Sequence, residues 1–239
     1  MGMGQGFVVD TPDGGFTIVA IDGAVIGAGW TGDPHDMEDT LTGIVRIFGY
    51  MHPRVRPGEF MLMGADEIGP HLAPDAPIED IEIRWFEKVR GKGKCADVER
   101  VERVSSVDPA LMRAARAVNA YYGGDTESVQ RVPVRYEAAD FRSQTWEALR
   151  ALEPGRTITY SELAALAGRP KAVRPAASAC AANPLPLFIP CHRVIRSDGS
   201  QGGFRDGLAV KQRLLARETW GERTSLGVPE NLMTLVAAH

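Results

Sequence analysis

The stretch that determines how this chain is interpreted is NPLPLFIPCHRV, residues 183–194. It places the thiol of Cys191 next to the imidazole of His192, directly after an apolar segment that its prolines make rigid. A thiol is a poor nucleophile until it loses its proton, and a nearby imidazole is the usual group that removes it. Because free cysteines are also among the most buried residue types, adjacency alone leaves a reactive thiol and an inert one equally open.

Two short helices are predicted just before this stretch, over residues 161–167 and 172–182, with a turn at residues 168–170. Leu163 and Leu166 are expected to face inward on the first helix. Two short helices joined by a tight turn that contains glycine are typical of a helix-turn-helix.

The second predicted helix has almost no large side chain between residues 176 and 182. Such a helix either packs closely against a neighbour or brings its backbone close to DNA, beside the basic residues Lys171 and Arg174. Large base-reading side chains are absent from its middle, so DNA binding would depend mainly on phosphates and DNA shape.

Charge is divided unevenly along the chain. Residues 1–141 carry 14 Lys and Arg against 23 Asp and Glu, whereas residues 142–223 carry 13 against 7, and the net charge is −4. A basic segment on an acidic protein fits a polyanionic partner, and chance partition of surface charge is the alternative.

Length and composition narrow the class of protein. A chain of 239 residues suggests one or two domains of an ordinary soluble protein. No apolar run approaches the roughly 20 residues that span a bilayer, and the first residues lack the pattern of a secretory signal. The cysteines at positions 95, 180 and 191 provide neither a disulfide framework nor a paired metal-binding motif, which favours a reducing cytoplasm.

The N-terminal half begins with a hairpin signal. Asp22-Gly23 separates the β-rich residues 16–21 and 24–30, a combination typical of a type I′ turn. Apolar spacing then predicts a helix over residues 37–48.

The following region is harder to interpret. Prolines break the first part of residues 52–107, and the basic run 88–94 is either a nucleic-acid patch or a solvated hairpin tip. We favour the tip, because two glycines interrupt the run. Asp108 as a cap predicts a helix over 106–122, and residues 132–136 are a candidate strand.

Five ordered blocks around the Cys191-His192 pair resemble the O6-alkylguanine-DNA alkyltransferases, continuously from about residue 141 to 220. The blocks are Tyr160-x-x-Leu-Ala-x-Leu-Ala-Gly168, Lys171-Ala-Val-Arg174, Asn183-Pro184, Ile189-Pro-Cys-His-Arg-Val194 and Gly207-Leu-Ala-Val-Lys-x-x-Leu-Leu-x-x-Glu218.

The resemblance implies direct DNA repair, in which an O6-alkylated guanine is flipped out of the duplex and its alkyl group moves irreversibly to a protein cysteine. Cys191 would be the acceptor, His192 a base acting through a water, and Glu218 the carboxylate that orients His192. Tyr160 would donate a proton to the leaving guanine, and Arg174 would fill the gap in the base stack.

Further positions match the family's pocket and its DNA-binding helix. Asn183 would brace the turn beneath the cysteine, and Pro186 would form a wall of the base pocket. Backbone groups at Val194 and Arg205 would bond the guanine edge, and Lys211 matches a lysine near the site. The residues expected to face DNA are Lys171, Arg174, Ala176, Ala177, Ser178 and Ala181.

Asp206 departs from the family's pattern, which has a small or aromatic residue there, and its charge would disfavour bulky aromatic adducts. The zinc ligands of some relatives have no counterparts, so no metal and no cofactor are expected. The expected partner is double-stranded DNA that carries O6-alkylguanine. The protein is expected to be a cytoplasmic monomer that can cluster on DNA.

The implied fold is a two-domain α/β (α+β) arrangement. A small antiparallel sheet with helices would occupy residues 1–130, with an atypical insertion around 52–107. A winged helix-turn-helix-like alkyltransferase domain would occupy 131–223, followed by a tail at 224–239. The alternative functions are a non-catalytic binder of alkylated DNA, which would lack the cysteine, and an alkylation-sensing regulator, which would need a further metal-binding cysteine domain.

Overall fold

A six-stranded sheet dominates the first half of the chain. The structure, a computed structural model, describes residues 4–32, 60–63, 72, 82–90, 97–136, 138 and 140–225. The sheet order is β3-β2-β1-β4-β5-β6, and every neighbouring pair is antiparallel except β1 and β4, which are parallel. The strands are β1 (Gly4–Val9), β2 (Gly15–Ile21), β3 (Ala24–Gly32), β4 (Phe60–Met63), β5 (Glu82–Arg90) and β6 (Asp97–Ser106).

The hairpin between β2 and β3 has the predicted turn. Asp22 and Gly23 both have positive φ angles, 48° and 78°, as a type I′ turn requires at its two central residues. The predicted helix over residues 37–48 lies outside the described residues.

β5 and β6 form an antiparallel pair, in which Arg90 faces Asp97. The basic run 88–94 therefore begins at the end of β5, which agrees with the predicted hairpin. Residues 91–96, with Cys95, lie outside the described part, as do most residues of the proline-containing segment before β5.

The predicted helix after the sheet is α1 (Pro109–Tyr122), and it packs on β1, β2 and β3. Asp108 caps it by accepting a hydrogen bond from Ala110 N at 2.8 Å. The other carboxylate oxygen of Asp108 accepts from Gly23 N at 2.9 Å. One side chain therefore both caps α1 and ties it to the β2–β3 turn.

The predicted strand at residues 132–136 is reduced to a single bridge between Val134 and Val25. Val25 N donates to Pro133 O at 3.3 Å, and Arg135 N donates to Val25 O at 2.8 Å. A longer ladder does not form here, in part because Pro133 has no N–H to donate.

The second half is mainly helical, and α3 and α4 are the predicted helix-turn-helix pair. Thr159 and Glu162 form a capping box at the start of α3, which fixes where this helix begins. The elements are α2 (Asp140–Arg150), β7 (Ile158–Thr159), α3 (Tyr160–Leu166), α4 (Val173–Ala181), β8 (Val194–Ile195), α5 (Leu208–Ser225), and 3₁₀ turns at Ser128–Arg131 and Cys191–Arg193.

The expectation that Leu166 faces inward is wrong, because its exposed fraction is 57%. The buried face of the helix passes through Leu163, Ala164 and Ala167, and Leu166 lies to one side of it. Leu163 is fully buried, as expected.

The hydrophobic core is continuous from the sheet to the last helix, and it includes Phe7, Trp146, Phe188 and Leu214. β3 contacts the Cys191 stretch directly, since Ala28 N donates to Pro184 O at 2.9 Å. The sheet therefore supports the loop that carries the thiol. The proposed division of the chain near residue 130 stays a prediction.

Within the described part of the chain, no helix combines the length and apolar character that crossing a membrane requires.

Replacing Asp108 with Ala should lower the free energy of unfolding by about 1–2 kcal/mol, because the N-cap bond of α1 and the bond to the hairpin turn are both lost. Urea denaturation measures the change. Asp125 is a matched control, since its side chain forms only an exposed ion pair with Arg131. Asp125→Ala should cost less than about 0.5 kcal/mol, and equal costs for the two variants would contradict the capping role of Asp108.

Candidate active site

Cys191 lines a cavity of about 490 Å³ in the second half of the chain. The thiol lies at the start of the 3₁₀ turn, and the exposed fraction of the residue is 8%. The cavity is bounded on one side by α4 and on another by the loop before α5. Its lining residues are Tyr160, Ala177, Cys180, Ala181, Asn183, Pro186, Cys191, Gly203, Phe204, Arg205 and Asp206.

Asn183 organises the loop that leads to the thiol. Its side-chain N–H₂ donates to Ile189 O at 2.8 Å and to Cys191 Sγ at 3.1 Å, and its side-chain oxygen accepts from Leu185 N at 2.9 Å. Leu187, between them, has a φ of 72°, a strained angle for a leucine that the surrounding bonds hold in place. Asn183 thus braces the turn that leads to the cysteine.

The free protein holds Cys191 as a thiol. Burial raises its pKa, and the charge of Asp206 adds to that effect, against the opposing influence of Asn183, Arg205 and Lys211. A thiol is much less nucleophilic than a thiolate, so the reaction of Cys191 requires a base at the moment of attack.

His192 is the residue predicted to act as that base. It is fully buried, and its Nε2 lies 2.8 Å from Glu218 Oε1. Burial lowers the pKa of His192, although Glu218 acts in the opposite direction, so the imidazole is neutral near pH 7. With an ionised Glu218, Nε2 carries the proton and Nδ1 has the lone pair. Nδ1 has no hydrogen-bond partner among the described residues.

Glu218 receives more donors than the sequence indicated. Arg193 is fully buried and donates from Nε to Oε2 and from Nη2 to Oε1, both at 2.9 Å. Tyr121 donates to Oε1 at 3.1 Å, and Gly155 N donates to Oε2 at 3.2 Å. Burial alone would raise the pKa of Glu218, but His192 and Arg193 together hold it well below its usual range. The carboxylate is therefore ionised near neutral pH.

Tyr160 lines the cavity from the first residue of α3. Burial raises its pKa, so the phenol keeps its proton. Gly202 has a φ of +65°, and a Cβ at this position would lie 3.1 Å from the Tyr160 hydroxyl. A glycine there is required both by the backbone angle and by the close approach of the phenol.

The predicted DNA-facing residues occupy different environments. Lys171, Arg174, Ser178 and Ala181 are exposed on or next to α4, and Ala177 is half-buried in the cavity wall. Ala176 is fully buried, so its assignment as a DNA-contacting side chain is corrected. The small residues of α4 therefore serve two purposes, because α4 also packs closely on α2 and α3.

Two of the four predicted pocket residues line the cavity, namely Pro186 and Arg205. Val194 is fully buried and is not among the lining residues, and Lys211 donates from Nζ to Val194 O at 2.6 Å. Lys211 also donates to Gln201 O, so its role here is to join two backbone segments.

Arg205 and Asp206 form an ion pair at the cavity, with Nε and Oδ2 3.4 Å apart. Arg205 also donates to Asn183 O at 2.7 Å and to Ala28 O at 3.2 Å. This arginine fastens the loop before α5 to the cysteine loop and to β3.

Sequence reasoning missed three residues of the site. Arg193 belongs to the 183–194 stretch, but a motif does not show which residue its side chain contacts. Tyr121 lies 97 residues upstream of its partner Glu218, and no local pattern connects them. Cys180 carries a second thiol into the same cavity.

Among the residues that the structure describes, no three His, Cys, Asp or Glu side chains are grouped as metal ligands would be. The expectation that no metal is needed stays a prediction.

Comparison with known proteins extends this description. A family profile described as "6-O-methylguanine DNA methyltransferase, DNA binding domain" matches residues 140–220. The human methylated-DNA--protein-cysteine methyltransferase is 37% identical over 161 residues, which are 60% of this chain and 77% of that protein. The bifunctional transcriptional activator/DNA repair enzyme Ada of Escherichia coli is 48% identical over 91 residues, which are 38% of this chain and only 26% of Ada.

The same fold occurs in a solved structure of the Mycobacterium tuberculosis O6-methylguanine methyltransferase. The two share a TM-score of 0.56 at 20% identity, over 98% of this chain and 99% of the other. This confirms the predicted fold class. The chain belongs to the family of methylated-DNA--protein-cysteine methyltransferases, because the human relative is matched over most of its length.

Replacing Arg193 with Met should lower the free energy of unfolding by about 3–5 kcal/mol, because the buried Glu218 carboxylate loses its cation. Thermal and urea denaturation measure this loss. Arg156 is exposed, and Arg156→Met is a matched control that should change stability by less than about 0.5 kcal/mol.

The difference in unfolding free energy between wild type and Arg193→Met should also depend on pH. Folding lowers the pKa of Glu218, so its contribution to stability is complete above the pKa of an unfolded Glu, about 4.3. The contribution is lost as the pH falls below that value toward the folded pKa. A difference between wild type and Arg193→Met that stays constant from pH 7 to pH 3 would contradict this role for the pair.

Proposed function

We propose that Cys191 accepts a methyl or larger alkyl group from O6-alkylguanine in duplex DNA, in one irreversible step that repairs the base. Membership of the family makes the chain a DNA-repair protein that acts by alkyl transfer. The observation that carries the assignment to Cys191 is its place in the cavity wall, held by Asn183, with the buried His192–Glu218 pair beside it.

The step balances as a displacement at carbon. His192 takes the Cys191 proton through a water, the sulfur attacks the alkyl carbon, and the bond from that carbon to O6 breaks. The electron pair moves into guanine, and Tyr160 donates a proton to the N3 side of the leaving base. The product is a thioether, which no water attacks under mild conditions, so each protein molecule reacts once.

The exposed part of α4 supports a DNA-binding role. Arg174 and Lys171 lie at its N-terminal end, and Ser178 and Ala181 are exposed further along the helix. A helix face of small side chains lets the backbone closely approach the minor groove, where few base-specific contacts are available. Arg174 would occupy the space that the flipped nucleotide leaves, and its planar cation would replace lost stacking.

The pocket volume is consistent with a flipped base. A cavity of about 490 Å³ lies within the usual range for small-molecule sites, and Pro186 and Ala177 provide apolar walls. We further propose that the protein acts as a monomer in the cytoplasm and needs no cofactor.

Incubation with a duplex that contains O6-methylguanine should transfer one methyl group to the protein. Because the methyl group replaces the thiol hydrogen, intact-mass spectrometry should detect a gain of one CH₂ per protein molecule. Peptide mapping should place it on Cys191. Cys191→Ala should show no gain, whereas Cys180→Ala should still react, although both thiols line the cavity. Alkylation at Cys180 instead of Cys191 in the wild-type protein would contradict the assignment of Cys191 as the acceptor.

Arg174→Ala should slow methyl transfer from duplex DNA by roughly tenfold or more, because the flipped state loses its stacking replacement. Transfer from free O6-methylguanine base, which needs no flipping, should change by less than about twofold. Arg156→Ala is the matched control and should leave both rates near the wild-type values. Equal loss on duplex and free base would contradict the role of Arg174.

A further inference from the structure

Tyr121 contributes to the site from the first half of the chain. It lies on α1, is fully buried, and donates its hydroxyl to Glu218 Oε1 at 3.1 Å. The same oxygen receives His192 Nε2 at 2.8 Å and Arg193 Nη2 at 2.9 Å. A residue from the first half of the chain therefore contacts the same carboxylate oxygen as His192.

We propose that Tyr121 is a positioning residue for alkyl transfer, because its hydroxyl fixes and partly neutralises the Glu218 oxygen that holds His192. This inference rests on the proposed function of Cys191 and His192. It adds a residue of α1 to a reaction whose other groups come from the second half of the chain.

Toward the ionised Glu218 carboxylate, Tyr121 can act only as a hydrogen-bond donor. Burial raises its pKa, and the neighbouring Glu218 charge raises it further, so the phenol stays protonated throughout the working pH range. The hydroxyl draws negative charge from Oε1 without adding a charge of its own. When it is removed, Oε1 attracts the imidazole proton more strongly, and the pKa of His192 should rise.

The groups that face His192 come from three parts of the fold. Glu218 and Lys211 belong to α5, Arg193 belongs to the same 3₁₀ turn, and Tyr121 reaches the shared carboxylate from α1. Glu218 raises the pKa of His192, whereas burial, Arg193 and Lys211 lower it. Tyr121→Phe changes none of these formal charges, so a shift in the pH dependence would report the hydrogen bond itself.

Tyr122 is a matched control on the same helix. Its hydroxyl donates to Asp13 Oδ2 at 2.8 Å, and it is half-buried. Tyr122→Phe therefore removes a tyrosine hydroxyl that is bonded to a carboxylate, but not to the carboxylate that orients His192.

The test is the single-turnover rate of methyl transfer from an O6-methylguanine duplex between pH 5 and pH 9. Tyr121→Phe should react roughly tenfold more slowly near pH 7, as expected for loss of a hydrogen bond to a charged group. The acid limb of its pH profile should move to higher pH by about half a unit, because more His192 is protonated. Tyr122→Phe should keep the wild-type profile and a rate within about twofold.

The active fraction of each preparation is measured from the final extent of methylation, so partial unfolding does not enter the rate. A Tyr121→Phe profile that coincides with wild type, or a slower rate with an unshifted acid limb, would overturn the inference while the proposed function stands. Absence of methyl transfer by the wild-type protein would overturn the proposed function and this inference with it.

Discussion

The arrangement of the site depends on one buried carboxylate. Glu218 accepts bonds from Arg193, His192 and Tyr121 and from the backbone of Gly155. These donors come from the 3₁₀ turn at the cysteine, from α1 and from the loop before β7. A carboxylate buried without such partners would take up a proton, and His192 would then lose the acceptor that fixes its orientation.

The buried ion pair that holds His192 in place has a large desolvation cost. Moving Arg193 and Glu218 out of water costs several kcal/mol each, and their attraction offsets that cost only when the geometry and the remaining bonds are good. Here the guanidinium bonds both carboxylate oxygens and also donates to Leu152 O. The network is better explained by its effect on the proton of His192 than by stability, because an apolar pair of similar volume could stabilise the fold at least as well.

Local signals in the sequence predicted most of the elements that carry the site. The Asp22-Gly23 turn, the Asp108 cap and the two helices before the cysteine each depend on a few neighbouring residues, and the structure has all of them. The exposure of Leu166 and the burial of Ala176 were not predictable, because they depend on how α3 and α4 rotate against α2.

The partners of Glu218 were only partly predictable for a related reason. The family motif supplied His192 and Glu218, but Tyr121 and Gly155 reach this carboxylate through tertiary packing alone. The parallel pairing of β1 and β4 is also a long-range feature, because about 50 residues separate the two strands in the sequence.

Our central proposal is that an ionised Glu218 holds His192 as the neutral tautomer with its proton on Nε2, so that Nδ1 can take the thiol proton through a water. The most direct measurement is a long-range proton–nitrogen NMR spectrum of the free protein near pH 7, with His192 assigned by comparison with His192→Gln. We predict a protonated Nε2 and an unprotonated Nδ1. A proton on Nδ1, in either the other neutral tautomer or the imidazolium, would contradict it.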